Sequence, residues 1–111
     1  MNASSPTSSA APSTAAAPLI RTSQAPDGPA PAAALLEPAM AGAIGEAAAP
    51  VSLTLDYGAP LIAGETVTIE SWVERATRTL VFVHGRVLKG DGALAATGSA
   101  VFRKLDLSAP A

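Results

Sequence analysis

Cysteine is absent from this 111-residue sequence, so no disulfide scaffold, thiolate nucleophile or thiolate metal ligand is available to it. Histidine occurs once, at His84, which excludes a metal site built on several imidazoles of one chain and leaves a Ser-His-Asp triad a single possible base. Aromatic side chains are scarce, with Tyr57, Trp72, Phe82 and Phe102 making up the whole set. Positive charge is thin and scattered. Seven Lys and Arg stand against nine Asp and Glu for a net charge of −2, without the basic stripe that nucleic-acid phosphates require. Nucleic acid is therefore not an expected partner. Long runs of large apolar residues, a positive n-region and an Arg-rich leader are missing too. The expectation is a soluble cytoplasmic protein with no membrane span and a floppy amino-terminal tail.

What is plentiful is small. The hydrophobic fraction reaches 49% largely through alanine, which buries little area at roughly 25 cal/mol per Å². Residues 1–30 are almost entirely Ala, Ser, Thr and Pro, with one apolar pair at Leu19-Ile20. Such a stretch cannot bury enough surface to offset the entropy of ordering it, so it reads as a disordered tail. The roughly 80 residues after it form a core that is marginal alone, and self-association is expected on size.

From Ala32 to Ala49 the sequence turns to helix formers. Leu35, Leu36, Met40, Ala43, Ile44 and Ala47 recur at spacings of three and four, with Pro31 suited to the first turn and Pro50 closing the segment. Pro38 interrupts this pattern, because an interior proline removes a helical hydrogen bond at about 3 kcal/mol. After Pro50 the period becomes two. Val51, Leu53, Leu55 and Tyr57 alternate with polar residues, as do Val67, Ile69, Ser71 and Val73. Leu80 to Leu88 and Leu94 to Lys104 read as two more strands, separated by the tight-turn signal Lys89-Gly90-Asp91-Gly92. Gly90-Asp91-Gly92 is not a nucleotide loop, since no helix follows it. The predicted class is α+β, one helix on one face of an antiparallel sheet, over residues 31–105, with short tails at 1–30 and 106–111.

This order, together with Ser52-Leu-Thr-Leu-Asp-Tyr-Gly-Ala-Pro60, Ala63-Gly64-Glu65-Thr66-Val67 and Gly90-Asp-Gly-Ala-Leu-Ala-Ala-Thr-Gly-Ser-Ala-Val-Phe102, resembles the hotdog fold, in which a curved antiparallel sheet wraps a central helix. The last phrase is similar to the final hairpin of phenylacetate-pathway (PaaI-like) acyl-CoA thioesterases. The resemblance covers roughly residues 32–105 and implies hydrolysis of a thioester to free acid and coenzyme A. Coenzyme A would be part of the substrate, with no separate cofactor and no metal. Sites would lie at the interface of a homodimer, and dimers could pair into homotetramers.

In that family a carboxylate on the central helix acts as nucleophile or general base, and Glu37 falls at the matching position. A backbone donor at the helix amino terminus stabilises the oxyanion. The family's His-Gly-Gly stretch is replaced here by Gly28-Pro29-Ala30, and neither Pro29 nor Pro31 has an N–H, which leaves Gly28, Ala30 or Ala32 as donors. The family's first strand has no evident counterpart within residues 1–30, so the copy reads as amino-terminally truncated or degenerate. The same departures motivate a second reading, a non-catalytic hotdog module that binds an acyl chain or a partner protein. A dehydratase-like reading is weaker, because the histidine before the helix is absent.

Asp56 and Tyr57, at a strand end beside the Pro60 corner, are candidates to line the substrate pocket, against the plainer role of corner hydrogen bonding. His84 and Trp72 read as packing or surface residues, and Glu46 as a surface helix residue. Arg75, Arg78 and Arg86 have the chemistry to meet coenzyme A phosphates but read more simply as sheet-surface charges.

Overall fold

Period-two alternation becomes a sheet with one wet and one dry face. The computed structural model describes residues 17–106. The elements are β1 (Leu19–Gln24), α1 (Pro31–Ile44), β2 (Ala48–Tyr57), β3 (Thr66–Ala76), β4 (Leu80–Lys89) and β5 (Leu94–Lys104). The five strands form one antiparallel sheet in the order β1-β3-β4-β5-β2, and α1 packs across one face of it, the hotdog arrangement. In β4 the alternation is strict, with Val81, Val83, Gly85 and Val87 buried under the helix. Phe82, His84 and Arg86 lie half-buried on the opposite face.

The helix meets the sheet through Ala32, Leu36, Ala39 and Met40, a stripe at helical spacing. Beneath it lie Val67 and Ile69 of β3, Val83 of β4, and Ala96, Ala100 and Phe102 of β5. Pro38 stays inside α1 on its exposed face, where the Ala34 carbonyl, denied an N–H from Pro38, can reach water.

Two expectations from the sequence are corrected. The tail does not run unstructured to residue 30, since Leu19–Gln24 is a strand pairing with β3, Leu19 opposite Ser71 and Gln24 opposite Thr66. This strand supplies the first strand for which the sequence pattern gives no sign. Most of its side chains face solvent, so it is held by backbone pairing and shows no apolar period. Residues 1–16 and 107–111 lie outside the described residues, and the expected tails are not addressed there.

The helix also ends sooner than Pro50. Gly45 takes a left-handed conformation (φ 76°) and caps it. Ala48 and Ala49 instead pair with Lys104 and Arg103, extending β2 backwards through Pro50. Proline is tolerated there because β2 is an edge strand, and the register shifts between Pro50 and Ser52.

Candidate active site

Glu37 is the sole charged residue of α1. It follows buried Leu36 by about 100° around the helix and so faces outward. Two adjoining hollows meet at its side chain, both between α1 and the edge strand β2, with Glu37, Pro50 and Phe102 common to the two. One, of about 220 Å³, is lined by Met40, Leu53 and Ala100 with Val51 and Ser52 at its rim. The other, about 290 Å³, runs over Ala33, Ala34, Pro38 and Ala41 on the helix surface and Ala48 of β2. Among the described residues lining this apolar groove, Glu37 is the only charge and Ser52 the only other polar side chain. A single carboxylate among hydrocarbon can act on a reactive carbonyl whose acyl group fills the surroundings.

The first two residues of the helix open elsewhere. Pro31 and Ala32 border a third hollow of about 240 Å³ with Tyr57, Pro60, Leu61 and Ala95. Ala34 N–H already donates to the Ala30 carbonyl (3.0 Å), and Pro31 has no N–H, so Ala32 and Ala33 carry the first-turn donors that the helix itself leaves unpaired. Gly28, at φ 126°, gives its N–H to the Asp27 side chain (2.9 Å). Ala30 is the exposed N-cap, with no side-chain cap bond.

Asp56 and Tyr57 lie at the far end of β2 from Val51, roughly 20 Å along an extended strand. Within one protomer Tyr57 joins the helix amino terminus, not Glu37. Asp56 is exposed and lines none of these three hollows.

His84 stacks on Trp72 on the outer sheet face, ring centroids 6.1 Å apart. Arg86 ion-pairs with Glu70 (2.6 Å) there and lies over Trp72, while Arg75 lies over Phe82. Arg78 lies in a polar hollow with Glu46, Lys104 and Asp106, away from Glu37. Among the described residues no cluster of three or more His, Cys, Asp or Glu could hold a metal, and no helix is long and apolar enough to cross a membrane.

Sequence reasoning missed the apolar half of the groove. Met40, Leu53, Ala100 and Phe102 carry the period of ordinary core positions, and nothing in that period tells a groove floor from a sealed interior.

Residues 32–96 match the thioesterase superfamily. A search of curated proteins finds no match. Among solved structures, a mutant of the phenylacetic acid degradation protein PaaI from Thermus thermophilus superposes with a TM-score of 0.69 at 20% identity, over 79% of this chain and 85% of that one. A putative thioesterase related to phenylacetic acid degradation from Ralstonia eutropha JMP134 gives 0.65 at 24% identity, over 78% and 75%. The BH2602 protein from Bacillus halodurans, solved with CoA, gives 0.66 at 19% identity, over 78% and 66%.

Proposed function

The chain belongs to the thioesterase superfamily, and we propose that it is an acyl-CoA thioesterase with Glu37 as nucleophile or general base. The observation that carries this reading is the lone carboxylate at the meeting point of two apolar hollows. The CoA in the Bacillus halodurans structure supports coenzyme A as the thiol portion of the substrate.

In the reaction, the Glu37 carboxylate either takes a proton from water as the water oxygen attacks the thioester carbonyl, or attacks that carbon itself and forms a mixed anhydride that water then cleaves. Either path places negative charge on the carbonyl oxygen before coenzyme A leaves as thiolate. First-turn N–H groups of a helix suit that oxyanion. The reaction draws on no cofactor beyond the coenzyme A of the substrate.

Ala33 borders the Glu37 groove but Ala32 opens into a different hollow of the protomer, and a homodimer resolves the mismatch. Among the described residues nothing pairs with the outer edge of β2, and Val51 and Tyr57 are exposed along it. Two copies paired antiparallel along β2 would set the Tyr57 end of one strand beside the Pro50 end of the other. Each Glu37 groove would then meet the partner's helix amino terminus. Pairing would also cover a strand edge that otherwise invites aggregation.

A specific observation favours the second reading, a non-catalytic module binding an acyl chain or a partner protein. Pro29 and Pro31 offer no N–H, and that of Gly28 is held by Asp27.

The deciding experiment measures thiol release from a panel of acyl-CoA thioesters by the parent protein and by Glu37→Ala. The enzyme reading expects turnover that falls by about 10²-fold or more in the variant. A folded parent that releases no thiol sinks the reading in favour of the binding module, and a variant that keeps full activity sinks the role of Glu37.

A further inference from the structure

Ser71 is the one fully buried polar side chain among the described residues. Its hydroxyl donates to the backbone carbonyl of Ala39, 3.0 Å away and 32 residues earlier in the sequence. Ala39 lies two residues beyond Glu37, about 200° around the helix, so this bond grips α1 from the face nearly opposite the carboxylate. Helical bonding is thinned beside that point, because Pro38 cannot donate to the Ala34 carbonyl. Among the described residues no side chain caps the amino terminus of α1, and none of its first-turn residues is acidic.

The same rung of the sheet also sets the height of the helix. Ser71 pairs with Gly85, and Gly85 with Gly98, so three small residues lie side by side on β3, β4 and β5. The ridge formed by Leu36 and Met40 drops into this trench. A Cβ on Gly98 would stand 3.0 Å from the Met40 terminal methyl and 3.3 Å from a Leu36 methyl; one on Gly85 would stand 3.0 Å from Leu36 and 3.1 Å from the Glu70 carbonyl. Leu36 and Met40 are fully enclosed and have little room to yield. The glycines therefore fix how close the helix comes, and Ser71 fixes how it is rotated and where it stands along its axis.

We propose that Ser71 is a positioning residue for Glu37, locking the segment around Pro38 so that the carboxylate is presented to the groove in one orientation. This inference rests on the reading of Glu37 as the reacting carboxylate. It assigns to a sheet residue on the far side of the helix a part in the reaction that neither groove nor sequence pattern reveals. A small rotation of α1 would change the approach of the carboxylate to a carbonyl carbon, to which rates are steeply sensitive, while leaving the apolar groove wide enough to bind.

The test compares kcat and KM for acyl-CoA hydrolysis in the parent, Ser71→Ala, Ser71→Thr and Gly98→Ala, well below each unfolding midpoint. Val67→Ala, a core truncation away from both groove and trench, serves as the stability control. The expected result is a fall of about tenfold in kcat for Ser71→Ala with KM within about twofold, recovery in Ser71→Thr, and a similar kcat loss in Gly98→Ala. Val67→Ala should lower the midpoint and leave kcat alone. Should Ser71→Ala not fold, Ser71→Cys decides, since it keeps the volume and replaces the hydroxyl with a weak donor. Full kcat in the Ser71 variants, beside an inactive Glu37→Ala, overturns the inference and leaves the enzyme reading standing. Equal kcat loss in Val67→Ala overturns it too, because general destabilisation then explains the effect. A folded parent without activity overturns both.

Discussion

Arg21 reaches from β1 across the surface of α1 and lies over Gly42, one guanidinium nitrogen 2.8 Å from where a Cβ on that glycine would stand. The obstacle is the tip of an exposed, flexible side chain, and Gly42 has no unusual backbone angle. Gly42→Ala should therefore raise stability, since alanine outranks glycine in a helix by about 1 kcal/mol and Arg21 can swing aside at small loss. Gly58→Ala should do the reverse. Its Cβ would run into the fixed Leu94 carbonyl, and the Gly58 and Ala59 N–H groups bond to Ala95 and Leu94 at 2.8 and 2.9 Å. Strain of this kind amounts to about 1–3 kcal/mol. Thermal unfolding of the two variants should show midpoints moving in opposite directions.

Thr54 is exposed near the middle of β2, where the two-fold axis would pass if copies pair antiparallel with the Tyr57 end of one strand beside the Pro50 end of the other. Thr54→Lys would then place two like charges close together. Sedimentation should show the parent as a dimer and the variant shifted toward monomer, more so at low salt. A monomeric parent would remove the argument for a shared site.

Leu53 sits on the groove wall, half-buried, opposite Ala100 of β5. Leu53→Ala should enlarge the hollow beside Glu37 and favour bulkier acyl groups. One methylene in an apolar pocket is worth about 1–3 kcal/mol of discrimination, so the ratio of kcat/KM for branched or aromatic over short acyl groups should rise by roughly tenfold or more. An unchanged ratio across the panel would place the acyl group elsewhere.

Glu65 provides a pH-dependent contribution. Its carboxylate accepts the Ile62 N–H (2.5 Å), the main cause holding its pKa below the usual glutamate value, with Lys89 at 3.1 Å adding to the effect. Lys89 also donates to the Pro60 carbonyl, tying the same corner to β4. Because the folded-state pKa is depressed, the contribution is complete above the ordinary glutamate pKa and disappears as pH falls through the folded one. Carboxyl NMR should show Glu65 titrating below the free-peptide value. Glu65→Gln should flatten the acid limb of the stability profile, and a titration at or above that value would refute the assignment.

Much of the sheet is legible in the alternation of its strands. The period of two through Val67, Ile69 and Ser71 predicts which face is buried, because a one-residue slip would turn each of these side chains to water. Through Leu80–Leu88 both faces look partly apolar, and the packing of α1 decides that Val81, Val83, Gly85 and Val87 are the buried set. The turn at Gly90-Asp91-Gly92 forms as its residues demand, with Gly92 at φ 89° and Lys89 bonded across it to Ala93. Glu37 is singled out by resemblance, and the fold places it in an apolar groove.

The sequence by itself determined the period of each long element, the dry face of β3 and the outward direction of Glu37, all of which follow from local geometry. Tertiary structure decided the rest. Leu19–Gln24 is a strand because β3 offers its edge, and Ala48–Ala49 join β2 because Arg103 and Lys104 are there to pair with them. Backbone pairing leaves no side-chain signature, and alanine states no preference strong enough to resist it. Whether Phe102 floors a groove, and whether Ser71 meets the Ala39 carbonyl, depend on contacts between segments distant in sequence, which no local pattern encodes.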